Sequence, residues 1–228
     1  MPVDSIATKL DKLKREWQPR RIAAVLLRAS IKAFAVIVLP FLVYVRASVY
    51  LYRHGANPWI AIIASAVVTS GLVCGGIILV ARRFRHRARV RMVVGWAVLP
   101  IVFTWCIYAA FYLSRVHVKS DAVRAYYSTV NPILRVALST IVLVDPDLVV
   151  TDMGRVARDY RRMGLPVNER TKHYVQSDGW VHAVDLRTRG RWEIRNRAVQ
   201  LYFWSMGFDT LRHVGTADHL HVQLATRP

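Results

Sequence analysis

Five histidines, His173, His182, His213, His219 and His221, fall between residues 173 and 221, and a carboxylate, Asp185, stands among them. The segment Trp180–Arg187 (WVHAVDLR) has the alternation of a strand. It puts Val181, Ala183 and Asp185 on one side and His182 and Val184 on the other. A carboxylate on such an apolar strand is costly to bury unless it is paired or bound to a metal. A salt bridge to one of the many arginines would satisfy it, and so would a metal. The terminal run Asp218-His219-Leu220-His221-Val222 places His219 and His221 on one face of a second strand. These two histidines together with a distant histidine and an aspartate could make a zinc site with an open position. An HxH pair alone carries little weight, because it arises readily in edge strands.

The elements that must position these residues can be read around them. Residues 121–144 show helical spacing interrupted at Pro132, with Leu134, Val136, Ala137, Thr140 and Ile141 as a buried face. DPDLVVTD reads as a turn and a short strand. Residues 154–163 suit a helix that Gly164–Pro166 ends. Trp192–Met206 reads as a helix with Ile194, Ala198, Leu201, Tyr202 and Met206 as its packing stripe, stopped by Gly207. Phe208–Val214 and His219–Leu224 read as strands around the turn Gly215-Thr216-Ala217. Strands and helices alternate, but the strands are few and short, so the expected class is α+β.

The motifs come in a definite order: VTDMGR (150–155), GLP (164–166), TKH (171–173), HAVDLR (182–187), MGF (206–208) and DHLH (218–221). This order resembles the D-Ala-D-Ala carboxypeptidase group of zinc peptidases, which shares its fold with the hedgehog signalling domain. The resemblance covers about residues 125–224. It implies zinc as cofactor, His173, Asp185 and His221 as metal ligands, Asp218 as the catalytic acid and base, and Arg155 as the group that steadies the polarised carbonyl. Thr171 stands where the family motif has serine. The spacing departs from the family pattern: His173 and Asp185 are 12 apart, where seven is usual, so an extra turn is expected at Ser177-Asp178-Gly179. An ungapped match would put Asp178 in place of the histidine and Val181 in place of the motif glycine. It would point to an inactive relative. The gapped match keeps the hydroxyl-x-His pattern and is preferred. His182 is expected to pack or to support a ligand, and His213 and His219 to orient a ligand or lie at the surface.

The first half of the chain is different in kind. Three apolar segments, about 33–52, 58–80 and 92–113, are each long enough to cross a bilayer as helices. The first contains Pro40 and Arg46, whose side chain can snorkel to the interface. Residues 10–31 read as a basic flank that extends this first span, with an amphipathic helix on the inner membrane surface as the alternative. Residues 1–117 hold 17 Lys/Arg against three acids (+14), and residues 118–228 hold 16 against 11 (+5), which together give the +19 of the chain. The basic tail (1–21) and the loop containing Arg82, Arg83, Arg85, Arg87, Arg89 and Arg91 mark the cytoplasmic side. Three spans within residues 22–117 then carry residues 118–228 to the periplasm or cell exterior, from a multi-pass position in the cell (inner) membrane. The basic excess thus answers to topology, and nucleic acid is not an expected partner. Cys74 and Cys106 both lie in apolar segments and form no framework. Arg187, Arg189 and Arg191 read as a solvated turn, with recognition of an acidic polymer as the alternative, and Trp180, Trp192 and Trp204 as core, with the lining of a groove as the alternative.

The expectation is a hedgehog/DD-peptidase-like α+β domain behind a three-helix membrane anchor. Its expected partners are the lipid bilayer and peptidoglycan peptides, whose amide bonds it would hydrolyse with zinc-activated water. The alternative is an inactive binding module on the same fold.

Overall fold

The computed structural model describes residues 19–81, 99–215 and 218–225. The basic tail up to residue 18, the arginine-rich loop, the first residues of the third apolar segment (92–98) and the turn residues Thr216 and Ala217 lie outside them. Two compact units are present, residues 1–41 and Leu42–Pro228. The described elements are α1 (Pro19–Arg53), α2 (Pro58–Ala81), α3 (Leu99–Phe111), α4 (Asp121–Arg124), α5 (Pro132–Val144), β1 (Val150–Asp152), α6 (Ala157–Arg162), β2 (Ala183–Arg187), α7 (Glu193–Ser205), β3 (Asp209–His213) and β4 (His219–Gln223). Short 3-10 turns lie at Arg115–His117 and Tyr127–Thr129. The class is α+β.

The helix α1 runs without a break through the basic flank and the first apolar segment. In its first unit Val25, Leu26, Leu27 and Ile31 are exposed. Among the described residues, Pro58–Gly76 in α2 is the one stretch long and apolar enough to cross a membrane by length and composition. Its outward side chains, Ile60, Ile63, Val67, Val68 and Leu72, are apolar and exposed. Ser65, Thr69 and Ser70 face inward, as small polar residues do where helices approach closely.

The segments on either side of residue 118 are packed together. Pro132 opens α5, where its fixed φ and missing N–H cost nothing, and the Asn131 side chain accepts from the Ile133 N–H at 3.0 Å. From Pro132 to Val142 only Thr140 is not fully buried. Helix α5 is thus buried on all sides, not on the single face that its spacing predicts. It packs against α2 and α3. Tyr127 and Ser139 both donate to the Ala109 carbonyl in α3, at 2.8 and 2.9 Å. Arg135 is buried within this seam. Its guanidinium lies 5.5–5.8 Å from the ring centres of Trp59, Phe111, Tyr127 and Trp180.

The four strands form one antiparallel sheet in the order β1-β2-β4-β3. Period-two alternation divides it cleanly. Val184, Leu186, Leu220 and Val222 are buried on one face. Asp185, Arg187, His219, His221 and Gln223 share the other, since Asp185 pairs with His221 and Arg187 with His219. Helix α7 lies against β3 and β4. It turns inward Asn196, Val199 and Phe203, while Ile194 is 74% and Leu201 61% exposed. The expected stripe is therefore displaced around the helix: α7 carries apolar residues on two faces, and periodicity alone does not choose between them. Trp192 and Trp204 likewise stand outside the core, exposed. Arg46 and Arg53 of α1 donate to the carbonyls of Ser205 and Gly207 at 3.0 and 3.1 Å. There they complete the C-terminal end of α7 and complement its dipole.

Candidate metal centre

His173, Asp185 and His221 arrive from three parts of the chain. Asp185 and His221 are cross-strand partners on β2 and β4. His173 stands on a loop laced to its neighbours. The Arg155 N–H donates to the His173 carbonyl at 2.8 Å, and the His182 N–H donates to that of Lys172 at 2.9 Å. The Thr171 hydroxyl lies 3.0 Å from the Tyr160 hydroxyl. The extra residues between His173 and Asp185 close on themselves. Gly179 has φ +83° and donates to the Gln176 carbonyl, and the Gln176 N–H donates to the Trp180 carbonyl. The turn expected at Ser177–Gly179 is present, and His173 lies beside Asp185.

The ligand atoms converge. The Asp185 Oδ1 is 2.8 Å from His221 Nδ1 and 3.3 Å from His173 Nε2, and the two nitrogens are 3.3 Å apart. Tetrahedral zinc with bonds near 2.0–2.1 Å sets its ligand atoms about 3.3–3.4 Å apart. Two of the three separations meet that value, and the third is a hydrogen-bond distance. The other nitrogen of each ring is also engaged. His173 Nδ1 lies 2.6 Å from the Met153 carbonyl, and His221 Nε2 lies 3.3 Å from the Gln223 side-chain oxygen. When those nitrogens donate, the lone pairs of His173 Nε2 and His221 Nδ1 are directed at the common point. The donor set therefore fits a zinc ion.

Electrostatics tell the same story. Burial would raise the Asp185 carboxyl, but hydrogen bonds from His173 and His221 outweigh it and hold the group well below the usual carboxylate range. Burial would lower His173, and the hydrogen bond and charge of Asp185 more than reverse that. A buried carboxylate has gathered positive charge around it, which a divalent cation supplies more strongly than protons.

The remaining expected residues divide. Arg155 is brought to the edge of the cluster, with Nη2 3.8 Å from Asp185 Oδ2. Both its Nε and its Nη2 are held by Asp152, which pairs with Asp185 across β1 and β2. The preceding Gly154 lets the chain pass beneath Tyr126, because a Cβ there would lie 2.8 Å from the ring. Asp218 is not brought to the cluster. It accepts from the Thr188 hydroxyl at 2.6 Å and pairs with Arg212 at 2.8 Å. Asp218 just precedes β4, and its partner Arg212 is cross-strand from buried Leu220, on the side opposite His221. His219 approaches instead, with Nε2 3.7 Å from Asp185 Oδ2 and its ring stacked on His213 at 4.6 Å. His182 leaves the sheet on the opposite side. Its Nε2 meets the Tyr52 hydroxyl at 2.6 Å and Asp178 Oδ2 at 3.1 Å. Asp178 thus pairs with His182 and Tyr52, and the histidine at the cluster is His173.

Two clefts open beside the cluster. One, of about 240 Å³, is lined by Asp209, Leu211, His213, His221 and Gln223. The other, of about 200 Å³, is lined by Tyr126, Asp152, Gly154 and Arg155. Asp152 and Gln223 are parts of the site that spacing does not reveal, since each is placed by strand register alone, whereas spacing already puts His219 on the face of His221. Comparison with protein-family models, curated proteins and solved structures finds no match.

Proposed function

We propose that this protein is a membrane-anchored zinc peptidase that acts on peptides of the cell wall. The convergence of His173 Nε2, Asp185 Oδ1 and His221 Nδ1 in a partly exposed cluster carries the proposal. Two neutral imidazoles and one carboxylate would hold zinc and leave a position open for water, and zinc when bound would supply Lewis-acid activation of that water near neutral pH. Arg155, fixed by Asp152, points a guanidinium toward the cluster edge, where it suits a substrate carbonyl as negative charge develops. His219 is the titratable group placed to hold a proton beside the cluster. Asp218 is given a structural part, tying the start of β4 to Thr188 and Arg212.

The resemblance to the D-Ala-D-Ala carboxypeptidase group supports the substrate class. The stretch Pro58–Gly76 of α2, long and apolar enough to cross a membrane, supports an anchor. The apolar segments about 33–52 and 92–113 of the sequence extend the proposal to three spans in the cell membrane, and the placement of arginines and lysines supports an external site. Measurement of zinc in the full-length protein in detergent, together with release of D-alanine from cell-wall peptides, tests the proposal. About one zinc per chain and zinc-dependent release are expected.

One observation favours a second function, a binding module that holds the same peptides without cleaving them. Asp218 is engaged by Arg212 and Thr188, so the carboxylate that would act as base is elsewhere. Bound zinc with no turnover would select this function.

A further inference from the structure

A cleft of about 420 Å³ lies beyond the C-terminal end of β2, lined by Asp147, Val149, Arg187, Arg189, Gly190, Arg191, Trp192 and Arg195. Four guanidinium groups surround it. Two of them are already committed. Arg191 pairs with Asp145, and Arg195 pairs with both Asp145 and Asp147. The Arg191 side chain is only 5% exposed and forms a buried base, and Arg195, 41% exposed, is neutralised beside it by Asp145 and Asp147. Arg187 and Arg189 are exposed, and among the described residues neither has a carboxylate partner. The rim therefore keeps an uncompensated positive charge over a fixed base. Trp192 stands at the same rim, 79% exposed, a large aromatic face with no protein packed upon it.

The position of the cleft relates it to the metal cluster. Arg187 is two residues along β2 from Asp185, on the same sheet face, and is cross-strand from His219. Two residues of strand span about 6.6 Å. A group bound at Arg187 would thus sit next to whatever occupies the cluster.

We propose that this cleft is a subsite for an acidic saccharide, with Arg187 and Arg189 holding its phosphate or carboxylate and Trp192 covering the face of its ring. Guanidinium forks match the oxygens of both anions, and an exposed indole beside them adds an apolar platform that a bare phosphate would not use. As a statement about substrate the proposal rests on the peptidase function, whereas as a statement about binding it does not.

Calorimetric titration of the full-length protein in detergent with glucose 6-phosphate, inorganic phosphate and glucose tests it. Glucose 6-phosphate is expected to bind, more tightly than inorganic phosphate, and glucose not to bind. The double variant Arg187→Gln/Arg189→Gln is expected to weaken glucose 6-phosphate about tenfold or more. Trp192→Ala is expected to bring glucose 6-phosphate down to the level of inorganic phosphate. All three side chains are exposed, so an unchanged melting temperature confirms that the variants fold. Chelator-treated protein is expected to bind as well as untreated protein, which separates this site from the metal centre. No binding by the unaltered protein, or equal binding by the double variant, would overturn the proposal. Capture of phosphatidylglycerol nanodiscs that glucose 6-phosphate does not displace would overturn the saccharide as occupant and assign the arginines to a lipid headgroup.

Discussion

Asp185 and His221 face one another across the β2–β4 pair, with Oδ1 2.8 Å from Nδ1. Strand register makes this contact, so it is as rigid as the sheet that carries it. His173 is the ligand that a loop must deliver. The site is therefore two-thirds preorganised by backbone hydrogen bonds.

Gln223 orients the His221 ring through its Nε2. Replacing it with Leu removes that acceptor while retaining a side chain of similar size. Zinc affinity is expected to fall about tenfold, the usual effect of losing a hydrogen bond behind a metal-bound imidazole. Competition with a chromophoric chelator measures it, and unchanged affinity would leave Gln223 without a role.

Gly154 is fixed by Tyr126, whose ring would lie 2.8 Å from an added Cβ. Gly154→Ala is expected to cost about 1–3 kcal/mol of stability by overpacking. In the Tyr126→Ala background the same change should cost less, because the ring contacts at 2.8 and 2.9 Å are gone and only the contact with the residue-126 Cβ, at 3.1 Å, is left. Thermal unfolding of the four proteins checks this coupling.

Burial holds His182 below its ordinary value of 6.5, although the charge of Asp178 offsets part of the effect. Between the folded value and 6.5 the unfolded chain binds a proton that the folded chain does not. This contribution is fully present above 6.5 and is lost as pH falls below it, by at most about 1.4 kcal/mol per pH unit. His182→Gln should flatten that part of the profile of melting temperature against pH. The difference between the two profiles isolates His182 from His173, whose raised value acts with the opposite sign.

Arg135 is buried among four aromatic rings, and no carboxylate pairs with it among the described residues. A buried charge of this kind is retained at a desolvation cost. Arg135→Met, which keeps the volume and drops the charge, is expected to change stability by less than about 1.5 kcal/mol. Arg135→Ala, which leaves a cavity in the seam of α2, α3 and α5, should cost about 2–4 kcal/mol. Melting curves in detergent separate the two.

Much of this arrangement is written in local pattern. The alternation in HAVDLR and HLHVQ places β2 and β4 and puts Asp185 and His221 on faces that can meet. Gly164 and Gly207 end α6 and α7 and Gly179 sits in the turn ahead of β2, all with positive φ, as their sequence contexts imply. What local pattern misses is set by long-range packing. Helix α5 is buried all round because α2 and α3 cover the side that faces away from its predicted stripe. Helix α7 has two apolar faces, and only contact with β3 and β4 selects Val199 and Phe203 over Ile194 and Leu201. Asp218 stands three residues from His221, an odd offset that puts the two on opposite sides of the sheet wherever strand geometry persists, and Arg212 and Thr188 hold it there. Asp152 and Gln223 carry no signal of their own, because their importance comes from the partner strand.

The central claim is the metal centre, and elemental analysis of the full-length protein purified in detergent at neutral pH tests it most directly. About one zinc per chain is predicted for the unaltered protein, with the metal lost from His173→Ala, Asp185→Ala and His221→Ala and kept in Asp218→Ala. Absence of zinc from the unaltered protein, or zinc that survives all three ligand substitutions, would contradict the account.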